Sequence, residues 1–378
     1  VKRLPSGDYA VSLGDQGNKF ELSKGGFTLT RGGDVVIKVT RKRTAQQRPQ
    51  LMPPVALPAM AQQAFLSQGR RLSAEAAELL QSKVDSDMTD FGTRLQLMAF
   101  YSSKSLLSAE VRPRHQKLVL WLVKNYPESA SAGSHEAHIH AHSDPDGYVN
   151  AKNLWLQHAR TQDQNVIILQ NAAKFFLLSD RKTAEGLLKQ AQAVEPNNAD
   201  VAQQLGQLYK LGLIYPGSKQ ERQKLAQNSM EQFEIAVRQG DGGSTSHPQL
   251  PDLATVAFEA GAADKARQYA NQLLKAGDDG RAIHIGNIVL GRLAIQAGDI
   301  AQANSHLLDA ARIQGGPTLN SFGPNMSLAQ ELLEKGETET VLEYFQLCGK
   351  FWENAKLKEW TDVVNRGGTP AFGGNLNY

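Results

Sequence analysis

The spacing of apolar residues changes once along the chain, from alternation within the first 43 residues to helical periodicity beyond about residue 60. Four short stretches in the first part, DYAVSL, KFELS, GFTLT and DVVIKVT, are rich in valine, isoleucine, threonine and aromatic residues. Glycine-containing turns separate them, which is typical of strands joined by tight connections. Residues 1–43 therefore predict about four strands of a small antiparallel sheet, an arrangement that is marginally stable alone.

A proline-rich stretch separates the two patterns. Residues 44–60 show no periodicity and contain Pro49, Pro53, Pro54 and Pro58, so they predict an extended linker. Beyond it, helices are expected near 61–69, 74–84, 90–102, 109–125 and 148–160. Ser73 and Thr89 precede two of these helices and are predicted N-caps. We interpret residues 61–160 as irregular helical hairpins.

From Asn165 the chain follows a 34-residue register that ends at Asn198. The unit places small residues and larger apolar residues at fixed positions, and Pro196 stops its second helix. Adding 34 to the numbers of Ala172 and Phe175 gives Gly206 and Tyr209, so a small and an aromatic residue return at the same positions of the next unit. The predicted repeat core of the two units consists of Ala172, Phe175, Ala184, Leu188, Ala191, Gly206 and Tyr209.

Three further copies carry the same pattern. Gly261, Gly298 and Gly336 stand where the first helix of each copy must end, and predict left-handed C-caps. The small and large core positions are Ala254, Ala257, Ala266, Ala270 and Leu273 in the first, Gly291, Ala294, Ala303, Leu307 and Ala310 in the second, and Ala329, Leu332, Val341, Phe345 and Cys348 in the third.

These five copies resemble the tetratricopeptide repeat (TPR), a 34-residue helix–turn–helix unit. The resemblance implies a mainly α fold, a right-handed TPR-like α-solenoid over 161–366 preceded by the small β segment and followed by a glycine-rich tail, 367–378. In the second copy the core pattern of the second helix returns at Ser229, Phe233 and Ala236, about 11 residues late. We interpret residues 212–223 as an insertion of the kind that decorates a binding face.

Two other resemblances concern origin. The pattern LPSGDYAVSL to FTLTRGGDVVIKVTRK resembles the end of the β-sandwich modules found outside the membrane in bacterial receptor kinases and surface proteins. Segments such as LVLWLVKNYPES resemble TPR proteins of environmental bacteria. Together they favour an extracytoplasmic or cell-surface location.

Charge and composition limit the kinds of partner and cofactor that the sequence indicates. With 41 basic and 38 acidic residues the net charge of the 378-residue chain is +3, too small to indicate nucleic acid. No apolar run reaches the roughly 18 residues that a membrane span requires. The single cysteine, Cys348, is expected in the repeat core, and no phosphate-binding loop or kinase motif implies a cofactor.

The segment SHEAHIHAHSDPDG places His135, His138, His140 and His142 within eight residues. Imidazoles followed by aspartates can bind zinc, nickel or copper, and alternating histidines on a strand would share one side. The spacing matches no metalloenzyme motif, however. The alternative is a polar loop that joins two helix pairs. The aromatic residues Phe351, Trp352 and Trp360 likewise indicate either a solenoid cap or a ligand site.

Repeat solenoids present surfaces rather than catalytic centres, so the sequence predicts a non-enzymatic scaffold for protein–protein association. The partner is a peptide or protein on the concave face, or other copies of the chain. In the second case, self-assembly into a cell-surface or extracellular filament would use residues 1–43 and the tail 367–378 as connectors. One alternative is the peptide- or protein-binding sensor region of a larger membrane-anchored signalling protein. A more distant one is a metal-binding protein that uses the four histidines.

Overall fold

The computed structural model describes residues 4–13, 20–31, 33–41, 57–86, 90–215, 217–240, 249–276 and 279–376. The chain divides into two compact units, Val1–Pro58 and Ala59–Tyr378. Most of the predicted linker, 44–60, lies outside the described residues. Within them, no helix combines the length and the apolar character that crossing a bilayer requires.

The first unit contains four short strands, β1 Gly7–Ala10, β2 Phe20–Leu22, β3 Gly26–Leu29 and β4 Val39–Arg41. They form two antiparallel pairs, β1 with β3 and β2 with β4. Tyr9 stacks on Phe27 across the first pair, with ring centroids 5.5 Å apart. No described side chain of this unit is fully buried. The predicted strand 34–40 was too long, because the ladder holds only its last residues.

The second unit is helical, and its described residues form seventeen α-helices. The helices are α1 Ala59–Arg70, α2 Ala74–Ser86, α3 Phe91–Ser105, α4 Arg112–Asn125, α5 Pro145–Thr161, α6 Val166–Phe176, α7 Arg181–Val194, α8 Ala199–Gly212, α9 Lys219–Gln239, α10 Leu250–Glu259, α11 Ala263–Ala276, α12 Gly280–Gln296, α13 Ile300–Ala311, α14 Pro317–Phe322, α15 Ser327–Glu334, α16 Thr338–Cys348 and α17 Ala355–Asn365. Short 3-10 turns occur at Ala130–Gly133, His135–Ala137 and Gly373–Leu376.

The five helices predicted before the repeats are present as α1 to α5, with α1 packed against α3. Ser73 caps α2, since its hydroxyl accepts a hydrogen bond from the Ala76 amide at 3.2 Å. The predicted cap Thr89 lies outside the described residues. The capping side chain of α3 is Asp90, whose carboxylate accepts from the Thr93 amide at 2.9 Å.

From α6 onward the helices pack as antiparallel pairs, which confirms the TPR-like right-handed α-solenoid. The pairs are α6 with α7, α8 with α9, α10 with α11, α12 with α13 and α15 with α16. The core positions predicted in the five copies are all buried, and they include Ala172, Phe175, Ala184, Leu188, Ala191, Gly206, Tyr209, Gly291, Ala303, Leu307, Ala310 and Cys348. Small residues at these sites let paired helices approach closely.

Glycine ends the first helix in three of the pairs. Gly261, Gly298 and Gly336 have φ of +77°, +79° and +86°, which is the left-handed conformation that the sequence predicts there. Each is flanked by the two backbone hydrogen bonds of a Schellman motif, for example from the Ala262 amide to the Ala257 carbonyl at 2.9 Å. These caps satisfy carbonyl groups that the helix would leave unpaired.

The insertion predicted at residues 212–223 lies only partly outside the helices, because Gly212 ends α8 and residues 219–223 begin α9. Helix α9 begins at Lys219, after a capping box formed by Ser218 and Glu221, and runs for 21 residues. The inserted residues therefore lengthen the second helix at its N-terminal end. Gly206 on α8 meets the Phe233 ring of α9, and a Cβ atom added there would lie 2.6 Å from that ring.

The last helices are closed by an aromatic cluster, which favours the cap interpretation of the tryptophans. Trp352 and Trp360 are both buried, with ring centroids 5.7 Å apart. Phe372 of the tail packs edge-on against Trp360, with the centroids 5.0 Å apart. The tail thus supplies a core residue to its own solenoid.

The tail is also held by hydrogen bonds from Asn375. Its side-chain amide donates to the carbonyls of Phe322 and Pro324, at 3.1 and 3.0 Å. Its own carbonyl accepts from the Met326 amide at 2.8 Å. The expectation that 367–378 docks on a neighbouring copy loses its basis over 367–376, because these intramolecular contacts already order the segment. Residues 377–378 lie outside the described part.

Candidate functional site

The first helices of the pairs form one face of the solenoid, which we call the inner face, and an opening lies on it between α6 and α8. This opening, which we call the open groove, has a volume of about 630 Å³. Its polar lining consists of Glu128, Gln170, Asn171, Lys174, Asp200, Gln203, Gln204 and Gln207. Apolar contact surface comes from Ile167 and Leu177 among others, and Ile167 is half exposed.

Several of these polar groups have no partner of their own. Within the described part of the chain, the side chains of Gln170 and Lys174 make no hydrogen bond or ion pair. The side-chain oxygen of Gln204 is shielded from water and also lacks a hydrogen-bond partner. The free side chains of Gln170 and Lys174 can bind a ligand at little cost, because no internal bond must first be broken.

The charge of Lys174 is only partly solvated. Partial burial lowers the pKa of Lys174 below its ordinary value, and the nearby carboxylate of Asp200 opposes this effect. The side chain nevertheless remains exposed at the groove surface. A cation that is reachable but incompletely hydrated attracts an anionic group more strongly than a fully hydrated one does.

Farther along the inner face, by contrast, the charged side chains satisfy one another. Asp252 on α10 accepts from Lys210 on α8 at 2.8 Å, from Gln207 at 2.7 Å and from Arg281 on α12 at 3.3 Å. One buried carboxylate thus links three successive repeats. The contact to Gln207 also marks the edge of the open groove.

A second set of ion pairs, centred on Arg292, also connects successive repeats. Arg292 on α12 pairs with Glu259 on α10 at 3.0 Å and with Glu331 on α15 at 2.7 Å, while its guanidinium lies 4.1 Å from the Phe258 ring centre. Burial raises the pKa of Glu331, and the charge of Arg292 opposes that effect. The cavity here measures only about 40 Å³, and Leu376 of the tail lines it. This part of the inner face is therefore closed by the protein's own side chains.

The four histidines of the sequence cluster lie in the segment between α4 and α5, which is irregular apart from two 3-10 turns. His135 and His142 are exposed, whereas His138 and His140 are half-buried. Among the described residues, no group of three or more His, Cys, Asp or Glu side chains is placed to hold a metal ion. The polar-loop interpretation fits this arrangement.

Two contacts from flanking residues hold the segment in place. The buried Glu136 forms an ion pair with Arg70 of α1, and its backbone carbonyl lies 2.8 Å from Nε2 of His115 on α4. Burial lowers the pKa of His115. His138 then contacts His140, with ring centroids 4.6 Å apart, and Phe175 of α6 at 5.5 Å. The loop is therefore packed onto the first repeat.

The groove residues were missed by the sequence interpretation, which looked for clustered chemistry. A signal was present: Gln170 and Lys174, like Gln203 and Gln207, are four residues apart and so lie on one helix face. Small core residues occupy the opposite face of the same helices. Polar pairs opposite the repeat core would have indicated the inner surface.

No family model and no curated protein matches the chain. Solved structures similar to it include the human IFIT1 dimer with m7Gppp-AAAA, at 18% identity over 78% of this chain and 66% of that chain, with a TM-score of 0.43. A monomeric IFIT1 mutant with Gppp-AAAA has 17% identity over 78% of this chain and 65% of that chain, with a TM-score of 0.45. PilF of Pseudomonas aeruginosa has 17% identity over 73% of this chain and 98% of that chain, with a TM-score of 0.35.

The chain thus spans about two thirds of the length of the IFIT1 structures. Identities below 20% and TM-scores below 0.5 assign neither a family nor a ligand to it.

Proposed function

We propose that this protein is a non-catalytic helical-repeat scaffold that binds a segment of a protein partner in the open groove between α6 and α8. The observation that carries the proposal is the pair of unpartnered side chains, Gln170 and Lys174, on the wall of a groove of about 630 Å³. That volume falls within the range of about 300–1,000 Å³ common for ligand sites.

The chemistry of the groove suits an extended peptide. A glutamine amide both donates and accepts, so it can pair with the N–H and C=O groups of a peptide backbone irrespective of its sequence. Lys174 adds a preference for an acidic residue, and the half-exposed Ile167 offers an apolar contact. Farther along the inner face the ion pairs of Asp252 and Arg292 leave less room, so binding is expected to centre on the first two repeats.

Self-association of the chain is a second candidate, supported by the β unit. Each described strand pairs with one other described strand, so each pair presents outer edges whose backbone groups template strand addition. Such association, or the resemblance to bacterial proteins, would imply a cell-surface filament, an extracellular location or a sensor role in a membrane-anchored protein. The tail has no part in this proposal, since its described residues pack on their own chain.

The groove proposal is tested by selecting a random peptide library on phage against the full chain, followed by calorimetric titration of the enriched peptides. Lys174→Glu and Gln170→Ala should each weaken binding. The matched controls Lys358→Glu and Gln302→Ala alter exposed residues on α17 and α13 and should leave affinity unchanged.

Enrichment of acidic peptides that bind wild type and controls equally but lose affinity for the groove variants supports the proposal. Peptides that bind all five proteins alike would place the binding surface elsewhere and refute it. Light scattering over a concentration series tests the second candidate. A monodisperse monomer at the highest concentration would exclude self-association.

A further inference from the structure

A second, smaller cavity adjoins the open groove. This histidine pocket has a volume of about 180 Å³ and is formed by the loop between α4 and α5 together with the end of α6. His135, His138, His140, Phe175 and Leu178 contribute to its wall. Lys174 and Leu177 line both this pocket and the groove, so one ligand can reach the two sites at once.

The walls of the pocket favour a flat, uncharged group. Small apolar residues such as Ala132 and Ala137 line it together with the Phe175 ring. The His138 ring lies 5.5 Å from that of Phe175 and 4.6 Å from that of His140, so aromatic faces and edges surround the space. Aromatic rings gain from edge-to-face and offset contacts of this kind beyond the area they bury.

The two imidazoles present no positive charge near neutral pH. Burial lowers the pKa of His138 to about 4, and the neighbouring His140 contributes in the same direction. Burial also lowers the pKa of His140. A pocket of this size can hold a six-membered ring, since an apolar protein cavity of about 150 Å³ is enough to bind benzene.

The cation available at this place is Lys174, which forms neither a hydrogen bond nor an ion pair with any described residue. Since it belongs to both cavities, it lies where a group attached to the bound ring would leave the pocket for the groove. Charge complementarity therefore requires the ring to carry an anionic group close by.

We propose that the histidine pocket binds an aromatic ring whose carrier bears a carboxylate next to it, the ring packing among His138, His140 and Phe175 and the carboxylate pairing with Lys174. A free arylalkanoic acid and a peptide with adjacent aromatic and acidic residues share this chemistry. Only the peptide source rests on the function proposed above.

The first arm of the test uses 3-phenylpropionate, followed by amide chemical shifts of the full chain. Saturable shifts are expected around residues 132–140 and 174–178. Lys174→Met removes the charge but keeps the stem, and the exposed Leu178→Glu introduces repulsion at the pocket; each should weaken binding about fivefold, the scale of an exposed ion pair. The controls Lys358→Met and Leu107→Glu, at exposed sites away from the pocket, should bind as wild type does.

The second arm compares two blocked tetrapeptides, acetyl-Gly-Phe-Asp-Gly-amide and the same peptide with Asn in place of Asp. If the acidic peptide binds more tightly than both the Asn peptide and 3-phenylpropionate, the ligand is a peptide, and the groove contributes. If the free acid binds at the pocket and the peptides bind no better, the pocket proposal stands and the groove proposal loses support.

The proposal is overturned if 3-phenylpropionate and the acidic peptide produce no saturable shifts, or produce them outside 132–140 and 174–178. It is equally overturned if both pocket variants bind as tightly as wild type while their helical circular dichroism is unchanged. Peptides selected from the library could still bind the open groove in that case, so the two failures are distinguishable.

Discussion

His284 should make the stability of the solenoid depend on pH. This residue of α12 is fully buried, and its Nδ1 lies 2.8 Å from the Ala310 carbonyl of α13. The backbone amide of Asn325 donates to its Nε2 at 2.9 Å. The ring is therefore neutral, with its proton on Nδ1, and it joins α12, α13 and the segment before α15. Burial lowers the pKa of His284 from 6.5 to about 4, and the hydrogen bond to Ala310 opposes this only in part.

The direction in which stability changes with pH follows from proton uptake by the unfolded chain. Between pH 6.5 and about pH 4 the unfolded chain protonates this histidine whereas the native protein does not, so acid favours unfolding. The stabilisation is complete above pH 6.5 and declines as the pH falls through this range. A pKa of about 4 instead of 6.5 corresponds to about 3 kcal/mol of unfolding free energy lost at the acid end.

The measurement is urea unfolding of wild type and His284→Gln, followed by helical circular dichroism at pH 7.5, 6.0, 5.0 and 4.0. At pH 7.5 the variant should be less stable by roughly 2–4 kcal/mol, since the amide cannot make both hydrogen bonds and leaves a buried group unpaired. On acidification it should lose about 3 kcal/mol less than wild type does. The other buried histidine among the described residues, His115, is present in both proteins and cancels in the difference.

The exposed His142→Gln serves as the control and should follow the wild-type pH profile. If wild type and His284→Gln lose the same stability between pH 7.5 and 4.0, His284 does not titrate as the geometry requires. Hydrogen exchange of the α12 and α13 amides gives a local check, because solenoids can unfold in stages.

Three further predictions concern packing. Gly206→Ala places a methyl group 2.6 Å from the Phe233 ring and should cost about 1–3 kcal/mol in urea unfolding, whereas Gly186→Ala, which meets nothing within 4 Å, should be neutral or stabilising. Asn375→Ala removes two hydrogen bonds to backbone carbonyls and should speed hydrogen exchange in the tail; unchanged exchange would show that the aromatic contacts alone hold it. Cys348 is fully buried and burial raises the pKa of its thiol, so Ellman's reagent should modify it only as fast as the solenoid opens, and rapid reaction in the native state would contradict this position.

Local signals in the sequence were sufficient for the repeat architecture. The 34-residue register, the buried small residues such as Ala184 and Ala191, and the three glycines at helix ends all appear where they were predicted. Each of these signals acts within one helix pair, so it can be detected from spacing alone. Where two local signals were close together, as at Thr89 and Asp90, the sequence did not identify the capping residue.

Tertiary packing decided the features that depend on distant residues. The tail 367–376 looked like a connector, yet Phe372 reaches Trp360 and Asn375 reaches the segment before α15. The insertion at 212–223 lengthens α9 at its N-terminal end, because the capping box at Ser218 starts this helix at Lys219. Sequence spacing carries no record of contacts between residues that are tens of positions apart.

The candidate site belongs to the same class of features. The spacing of Gln170 and Lys174 in the sequence indicates that they share a helix face, and the four clustered histidines can also be identified in the sequence. Only the packed structure shows that Asp252 and Arg292 are satisfied by neighbouring repeats while Lys174 is left without an ion pair among the described residues. The sequence by itself therefore determined the repeat fold through short-range periodicity and helix caps. The tertiary structure decided which polar groups remain free to bind, because that depends on which side chains each helix meets in its neighbours.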